Sequence, residues 1–231
     1  MAKVFSRKRE LVRSLRRTAA SLWRDEQGIS LVEFGLVLPL LVGLGMYGVE
    51  IAYMTSTNMQ VSQLALGVAD NASRLGQTDN SAISPTVAET DIDAVMFGAV
   101  RQGQGMNFEQ SGRVILSSIE LGPNDEQFIH WQRCAGELVR DSGHGNDTNR
   151  NGLTGTPLPA LGDPDDPVLA ADGQAVMYVE VFYTYQPLFG GMFFEEMTFS
   201  HDAMFLVRDD RNLNGGGGDG LSGTTSSVCT F

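Results

Sequence analysis

A run of apolar residues near the N-terminus constrains this chain more than any other feature. Residues 29–53 are almost wholly apolar, and the stretch from Phe34 to Val49 contains no charged side chain. A helix of this length rises about 37 Å, which exceeds the hydrocarbon thickness of a bilayer, about 30 Å. The run therefore predicts a transmembrane helix. A buried core helix and a cleaved secretory signal are the alternatives, although the run is long for a signal and no typical cleavage site follows it.

Charge is distributed unevenly along the chain and sets the expected orientation. Residues 1–28 carry eight Lys and Arg against three Asp and Glu, a net +5, whereas the whole chain carries −12, which leaves −17 for the remainder. Basic side chains before a span, with few soon after it, keep the preceding segment in the cytoplasm. We therefore expect residues 1–28 to form a basic cytoplasmic leader and the acidic remainder to be exported. An acidic domain repels phosphate backbones, which argues against nucleic acid as a partner.

One acidic side chain, Glu33, interrupts the apolar run near its cytoplasmic end. A carboxylate in a bilayer costs about 2.5–3.5 kcal/mol at a helix centre and less near an interface, so its presence indicates a function. The alternative is that Glu33 extends back to the lipid headgroups. Its position favours a function, since it is the fifth residue after Gly28 and is followed by the aromatic Phe34.

The segment from Gly28 to Phe34, GISLVEF, resembles the class III signal of type IV pilins and their relatives. This resemblance implies that a prepilin peptidase cuts between Gly28 and Ile29, and that Glu33 helps to place the subunit in a filament. Cleavage would create an α-amine with a reference pKa of about 7.7–8. A carboxylate one turn away, or on a neighbouring subunit, would neutralise this amine in the membrane.

The longer segment 24–53 is similar to the N-terminal region of TadE-like proteins of Flp (tight adherence) pilus systems. Their pattern is a basic arm, a glycine, Val-Glu-Phe and a proline in the apolar run, here Pro39. The resemblance implies a minor pseudopilin in the bacterial inner membrane that supports assembly of an adhesive pilus and is not an enzyme. The implied partners are other pilins and pseudopilins contacted through the helix, the prepilin peptidase, the inner-membrane assembly platform and the lipid bilayer. The competing hypothesis is a periplasmic binding or sensor module on an ordinary signal-anchor.

The sequence after the span predicts an exported α+β domain over residues 54–208 and a flexible Gly/Ser-rich tail over residues 209–231. Residues 54–80 form either the outer half of one long helix or a separate short helix, because their apolar residues have helical spacing: Val61, Leu64, Ala65, Val68 and Leu75. A second helix is expected from about residue 84 to 101, because Pro85 suits a first turn. Its apolar stripe is expected to comprise Ile92, Val95, Met96 and Val100.

Four segments have the β-branched and aromatic composition of strands, namely residues 113–121, 126–134, 175–185 and 197–208. The first two flank a turn and predict a hairpin, with Ile129 and Trp131 on one face of its second strand. Residues 141–172 are expected to form a long loop. The apolar segment 188–194 either packs under the sheet or meets a partner or a membrane surface. The predicted fold class is therefore α+β and pilin-like: a long transmembrane helix, a second short helix and about four antiparallel strands.

The two cysteines and one polar segment are the remaining candidate sites. Cys134 and Cys229 are expected to form a disulfide in an oxidising compartment, with two free thiols as the alternative. Asp147, Asn149 and Asn151 have the alternating spacing that begins a calcium loop, but the later glutamate is missing and these are also ordinary turn residues. No required cofactor is expected, and calcium is the one candidate ligand. The sequence contains no motif of a catalytic nucleophile.

Overall fold

The structure is a computed structural model that describes residues 27–76, 86–122, 126–147, 156–159, 161–163, 165–207, 211–213 and 220–229. The chain divides into two compact units, Met1–Val49 and Glu50–Phe231. The described part of the first unit is helical throughout. The second unit contains the sheet and the remaining helices.

Helix α1 extends over Gln27–Ser73, a length of 47 residues, and passes through Pro39 without interruption. It contains the predicted span, and residues 54–73 continue it as one helix, so the long-helix alternative is confirmed. Its apolar part is long enough to cross a membrane, and none of its most apolar window is buried within the protein.

The outer part of α1 packs on the sheet through a stripe with helical spacing. Val61, Leu64, Ala65 and Val68 of the predicted stripe are buried, and Ala72 extends it. Just beyond the end of the helix, the Arg211 side chain donates hydrogen bonds to the Ala72 and Leu75 carbonyl oxygens. This contact satisfies carbonyl groups that a helix leaves free at its C-terminus.

The second helix starts later than the sequence predicted. Strand β1 occupies Val87–Ala88, and helix α2 follows over Glu89–Gln102. The delay arises because Val87 and Ala88 are extended and pair with a strand from the tail. Pro85, which the sequence placed in the first turn of this helix, lies outside the described residues.

The apolar face of α2 is also slightly different from the prediction. Ile92 and Met96 are fully buried as expected, but Ala99 takes the third buried position, and Val95 and Val100 are only half-buried. A 3-10 turn over Gly103–Met106 and helix α3 over Phe108–Ser111 then lead into the sheet.

The main sheet has four antiparallel strands, as predicted. In chain order these are β2 (Gly112–Leu121), β3 (Gln127–Ala135), β6 (Ala175–Tyr185) and β7 (Met197–Leu206). Their order across the sheet is β3-β2-β6-β7. The predicted β2–β3 hairpin is confirmed, and the α+β fold class with it.

Both faces of the two central strands, β2 and β6, are covered. Val114, Leu116 and Val181 lie in the cluster that includes the buried side chains of α1 and α2. On the opposite face, Ile119 and Tyr178 form a separate cluster with residues of the region after β3. The two central strands are therefore buried at nearly every position.

The segment that covers this opposite face corrects the prediction of a long loop over residues 141–172. Two short strands, β4 (Leu161–Asp163) and β5 (Asp166–Val168), form a hairpin within it. Leu158 forms an isolated bridge with Gln127. Leu158 and Leu161 are buried on the face of the sheet opposite α1 and α2. Burial of these two side chains orders a segment that is otherwise rich in Gly, Asp and Pro.

A register shift in β3 changes the predicted faces of that strand. Ser118 pairs with Trp131 whereas Ile119 pairs with Ile129, so His130 is the extra residue of a β-bulge. Trp131 consequently joins the cluster on the helix side, and Ile129 joins the opposite cluster. The expectation that both side chains share one face was wrong.

Residues 220–229 of the tail, for which the sequence predicted a flexible segment, are attached to the domain. Strand β8 (Leu221–Ser222) pairs in parallel with β1. Leu221 is buried in the helix-side core, and Cys229 forms a disulfide with Cys134. The apolar side chain and the covalent bond outweigh the low intrinsic order of a Gly/Ser-rich composition.

Candidate functional site

The predicted peptidase and assembly residues all lie in the first part of α1. Gly28, Ile29, Glu33, Phe34 and Pro39 are all exposed in the folded chain. The exposed fractions of Ile29 and Phe34 are 58% and 62%. These side chains are therefore available to a bilayer, to another helix or to an enzyme.

Helix geometry brings two of these residues together. Ile29 and Glu33 are four residues apart in α1, so their side chains lie on the same face, one turn apart. An amine created at Ile29 would then lie close to the Glu33 carboxylate. Transfer of the paired amine and carboxylate into lipid costs much less free energy than transfer of either charge alone. The leader before residue 27 lies outside the described residues.

Glu50 has a role that the sequence did not reveal. Its position near the outer end of the predicted span favours the outer headgroup level, and the structure shows that Glu50 is fully buried in the protein. Its Oε1 accepts hydrogen bonds from the Tyr185 hydroxyl at 2.5 Å and the Leu188 amide at 3.1 Å, and its Oε2 accepts one from the Phe189 amide at 3.1 Å. The carboxylate thereby joins α1 to the end of β6 and to the loop that follows it.

Tyr185 is held tightly in this contact. Its ring lies 5.8 Å from that of Tyr53 and 5.6 Å from that of Phe199, measured between centroids. Burial, followed by the hydrogen bond to Glu50, raises the pKa of the Tyr185 hydroxyl. The hydroxyl therefore stays a neutral donor to the carboxylate.

Replacing Glu50 by alanine should free the loop after β6. Leu188 and Phe189 would lose the acceptor of their amide hydrogen bonds, so we expect their amides to exchange with deuterium at least about tenfold faster. Hydrogen exchange measured by mass spectrometry on the full chain in detergent checks this. Glu109→Ala, which removes an exposed carboxylate of α3, is the matched control and should leave that loop protected. Unchanged exchange in Glu50→Ala would show that the loop is held by other contacts.

A second polar contact fixes the tail to α2. The two Asp93 carboxylate oxygens accept hydrogen bonds from the Thr225 hydroxyl (2.9 Å), the Ser226 amide and hydroxyl (both 2.9 Å) and the Ser227 hydroxyl (2.6 Å). Burial alone would raise the pKa of Asp93, but these hydrogen bonds, Ser227 first, lower it to about 2. Asp93 thus remains ionised at neutral pH and holds the tail beside the disulfide.

The predicted disulfide between Cys134 and Cys229 is present, with a Cα–Cα distance of 4.8 Å. The Cys134 amide also donates to the Ser227 carbonyl at 2.8 Å. Cys134 lies on β3 and is buried, so the bond joins the tail to an edge strand of the sheet.

The candidate calcium segment is only partly visible. Asn149 and Asn151 lie outside the described residues, while the Asp147 Oδ2 accepts a hydrogen bond from the Gln132 amide at 3.3 Å. Among the residues that the structure describes, no cluster of three His, Cys, Asp or Glu could hold a metal ion. Calcium binding therefore stays a prediction.

Comparison with known proteins adds no relative. No protein-family model, curated protein or solved structure matches the chain. A function is therefore proposed from the chain's own residues and geometry.

Proposed function

We propose that this chain is a TadE-like minor pseudopilin that supports assembly of a Flp-type adhesive pilus. The observation that carries the proposal is the placement of Glu33. This carboxylate lies one turn from Ile29 in the apolar first part of α1, and none of the most apolar window of that helix is buried by the residues that the structure describes. A lone carboxylate there is unfavourable, and a new α-amine at Ile29, on this chain or a neighbour, supplies the matching positive charge.

The exposed segment also explains the proposed mode of association. Residues 28–49 are exposed at almost every position, so all faces of this helix are open to lipid and to other helices in the membrane plane. Helices associate there through close packing and polar contacts, because lipid removes the hydrophobic driving force. Partner pilins, pseudopilins and the inner-membrane platform would engage this segment, and the folded unit that starts at Glu50 would remain on the periplasmic side.

The fold is compatible with this role. A single helix, α1, extends from the apolar segment into the domain, where its outer part packs on a four-stranded antiparallel sheet. Fold alone does not establish function, so the decisive evidence must come from the processing of the leader and from Glu33.

The mature N-terminus tests the proposal. Intact-mass spectrometry of the full chain purified from a host with a prepilin peptidase should give a chain that starts at Ile29. Gly28→Ala should retain residues 1–28, because the peptidase reads the glycine. Gly35→Ala is the matched control: it alters another exposed glycine of the same helix, with no neighbouring atom within 4 Å of the added carbon, and should be processed normally.

A wild-type chain that keeps its leader would overturn the processing step. That result would favour the alternative, a periplasmic binding or sensor module on a signal-anchor.

A further inference from the structure

The loop after β6, residues 187–194, exposes apolar side chains that the fold leaves uncovered. The exposed fraction is 50% for Leu188 and 68% for Met192. Phe189 and Phe193 pack edge to face with their ring centroids 6.1 Å apart, and a 3-10 turn over Gly190–Met192 gives the loop its shape. No residue from 186 to 194 is charged. The loop is therefore a small, shaped apolar surface.

The position of this loop is fixed by Glu50. The Leu188 and Phe189 amides donate to the Glu50 carboxylate, and Glu50 directly follows Val49, the residue at which the first unit ends. From Gly28 to Glu50 a helix rises about 33 Å, close to the hydrocarbon thickness of a bilayer, about 30 Å. With Gly28 at the inner boundary, Glu50 and the loop that it holds come to the outer boundary.

The chemistry of the loop suits that boundary. Its backbone groups are not all paired in regular structure, so the loop fits the interfacial zone and not the hydrocarbon centre. Apolar side chains that enter an interface reach about 5–10 Å into the headgroup and acyl boundary. Glu195 and Glu196, which follow the loop, are exposed and would stay in water.

We propose that residues 187–194 are a second membrane contact of this chain, which inserts Leu188 and Met192 into the outer leaflet. The inference rests on the membrane span of the proposed function. The contact is apolar and not electrostatic, because the chain beyond residue 28 carries −17 and the loop contributes no basic side chain. It fixes the domain against the bilayer surface at a second point.

Fluorescence quenching in lipid nanodiscs tests this contact on the full chain. Met192→Trp is introduced together with Trp23→Phe, and each disc holds one chain, so that a second copy cannot cover the loop. Trp131 is buried in the core and gives a constant background. Lipid brominated high on its acyl chains should remove most of the emission of the new tryptophan, and aqueous iodide should have little effect. Raising the salt concentration should not change this result.

Two control variants separate the possible failures. Val139→Trp places the reporter at a domain residue that is 80% exposed and should be quenched by iodide alone. Leu40→Trp reports on the span and should be quenched by lipid brominated deep in its chains. If Leu40→Trp is quenched by lipid but Met192→Trp is quenched only by iodide, or loses its lipid contact in salt, the loop inference is overturned while the span stands. If neither is quenched by lipid, both the span and the loop contact are wrong.

Discussion

Replacing Glu33 by leucine is expected to abolish pilus production while the chain still enters the membrane. The substitution makes the apolar run more hydrophobic, so insertion should be at least as efficient. Under the proposed function, what is lost is the carboxylate that would pair with the α-amine created at Ile29. An ionic partner left alone in a low-dielectric site costs about 3–5 kcal/mol, which corresponds to a decrease of at least about 100-fold in correctly placed subunits.

Surface pili counted by electron microscopy, with the membrane fraction probed for the chain, measure this effect. Glu33→Asp keeps the charge and should retain partial assembly, whereas Glu33→Gln should resemble the leucine variant. Val32→Leu is the matched control, since Val32 is an exposed apolar neighbour. Normal piliation in Glu33→Leu cells would mean that the carboxylate has no part in assembly.

Removal of the Cys134–Cys229 disulfide should produce the largest loss of stability in the unit Glu50–Phe231. The bond spans 95 residues, and closing a loop of this length restricts the unfolded chain by about 4–5 kcal/mol in the chain-entropy description. For a domain of this size each kcal/mol shifts the Tm by about 2–4 °C. We therefore expect the double variant Cys134→Ser, Cys229→Ser to unfold about 8–20 °C lower.

Thermal unfolding followed by circular dichroism on the full chain in detergent checks this. A reducing agent should lower the Tm of the wild-type chain to a similar value and should not affect the serine variant, which acts as its own control for nonspecific effects of the reductant. A wild-type Tm that is insensitive to complete reduction would show that the hydrogen bonds of Asp93 and the β1–β8 pairing hold the tail without the bond.

The elements that were predicted correctly are those whose own residue composition or apolar spacing identifies them. Residues 175–185 are rich in valine and aromatic side chains, and β6 occupies the same residues. The apolar spacing from Val61 to Val68 likewise identified the face of α1 that packs on the sheet. Composition in the first case and spacing in the second lie within one segment, so the local sequence was sufficient.

The missed features depend on residues that are distant in sequence. The helix start at Glu89 is set by pairing of Val87 with Leu221, and nothing in the local sequence indicates that partner. Similarly, Glu50 is an ordinary acid near the end of an apolar run until Tyr185 and the Phe189 amide are brought to it. The one signal in the sequence for this contact was that Glu50 precedes the part of α1 whose apolar side chains pack into the domain. The bulge at His130 is also invisible locally, because β-branched and aromatic residues continue on both sides of it.

The pairing of the tail with β1 has a consequence for the order in which the domain matures. Synthesis proceeds from the N-terminus, so Cys134 is made long before Cys229, and these are the only two cysteines in the 231 residues. During that interval Cys134 has no other cysteine among the 231 residues to pair with, and all four strands of the main sheet are made before Cys229. Oxidation can therefore follow assembly of the sheet, and a chain interrupted before residue 221 would leave Val87 without its strand partner.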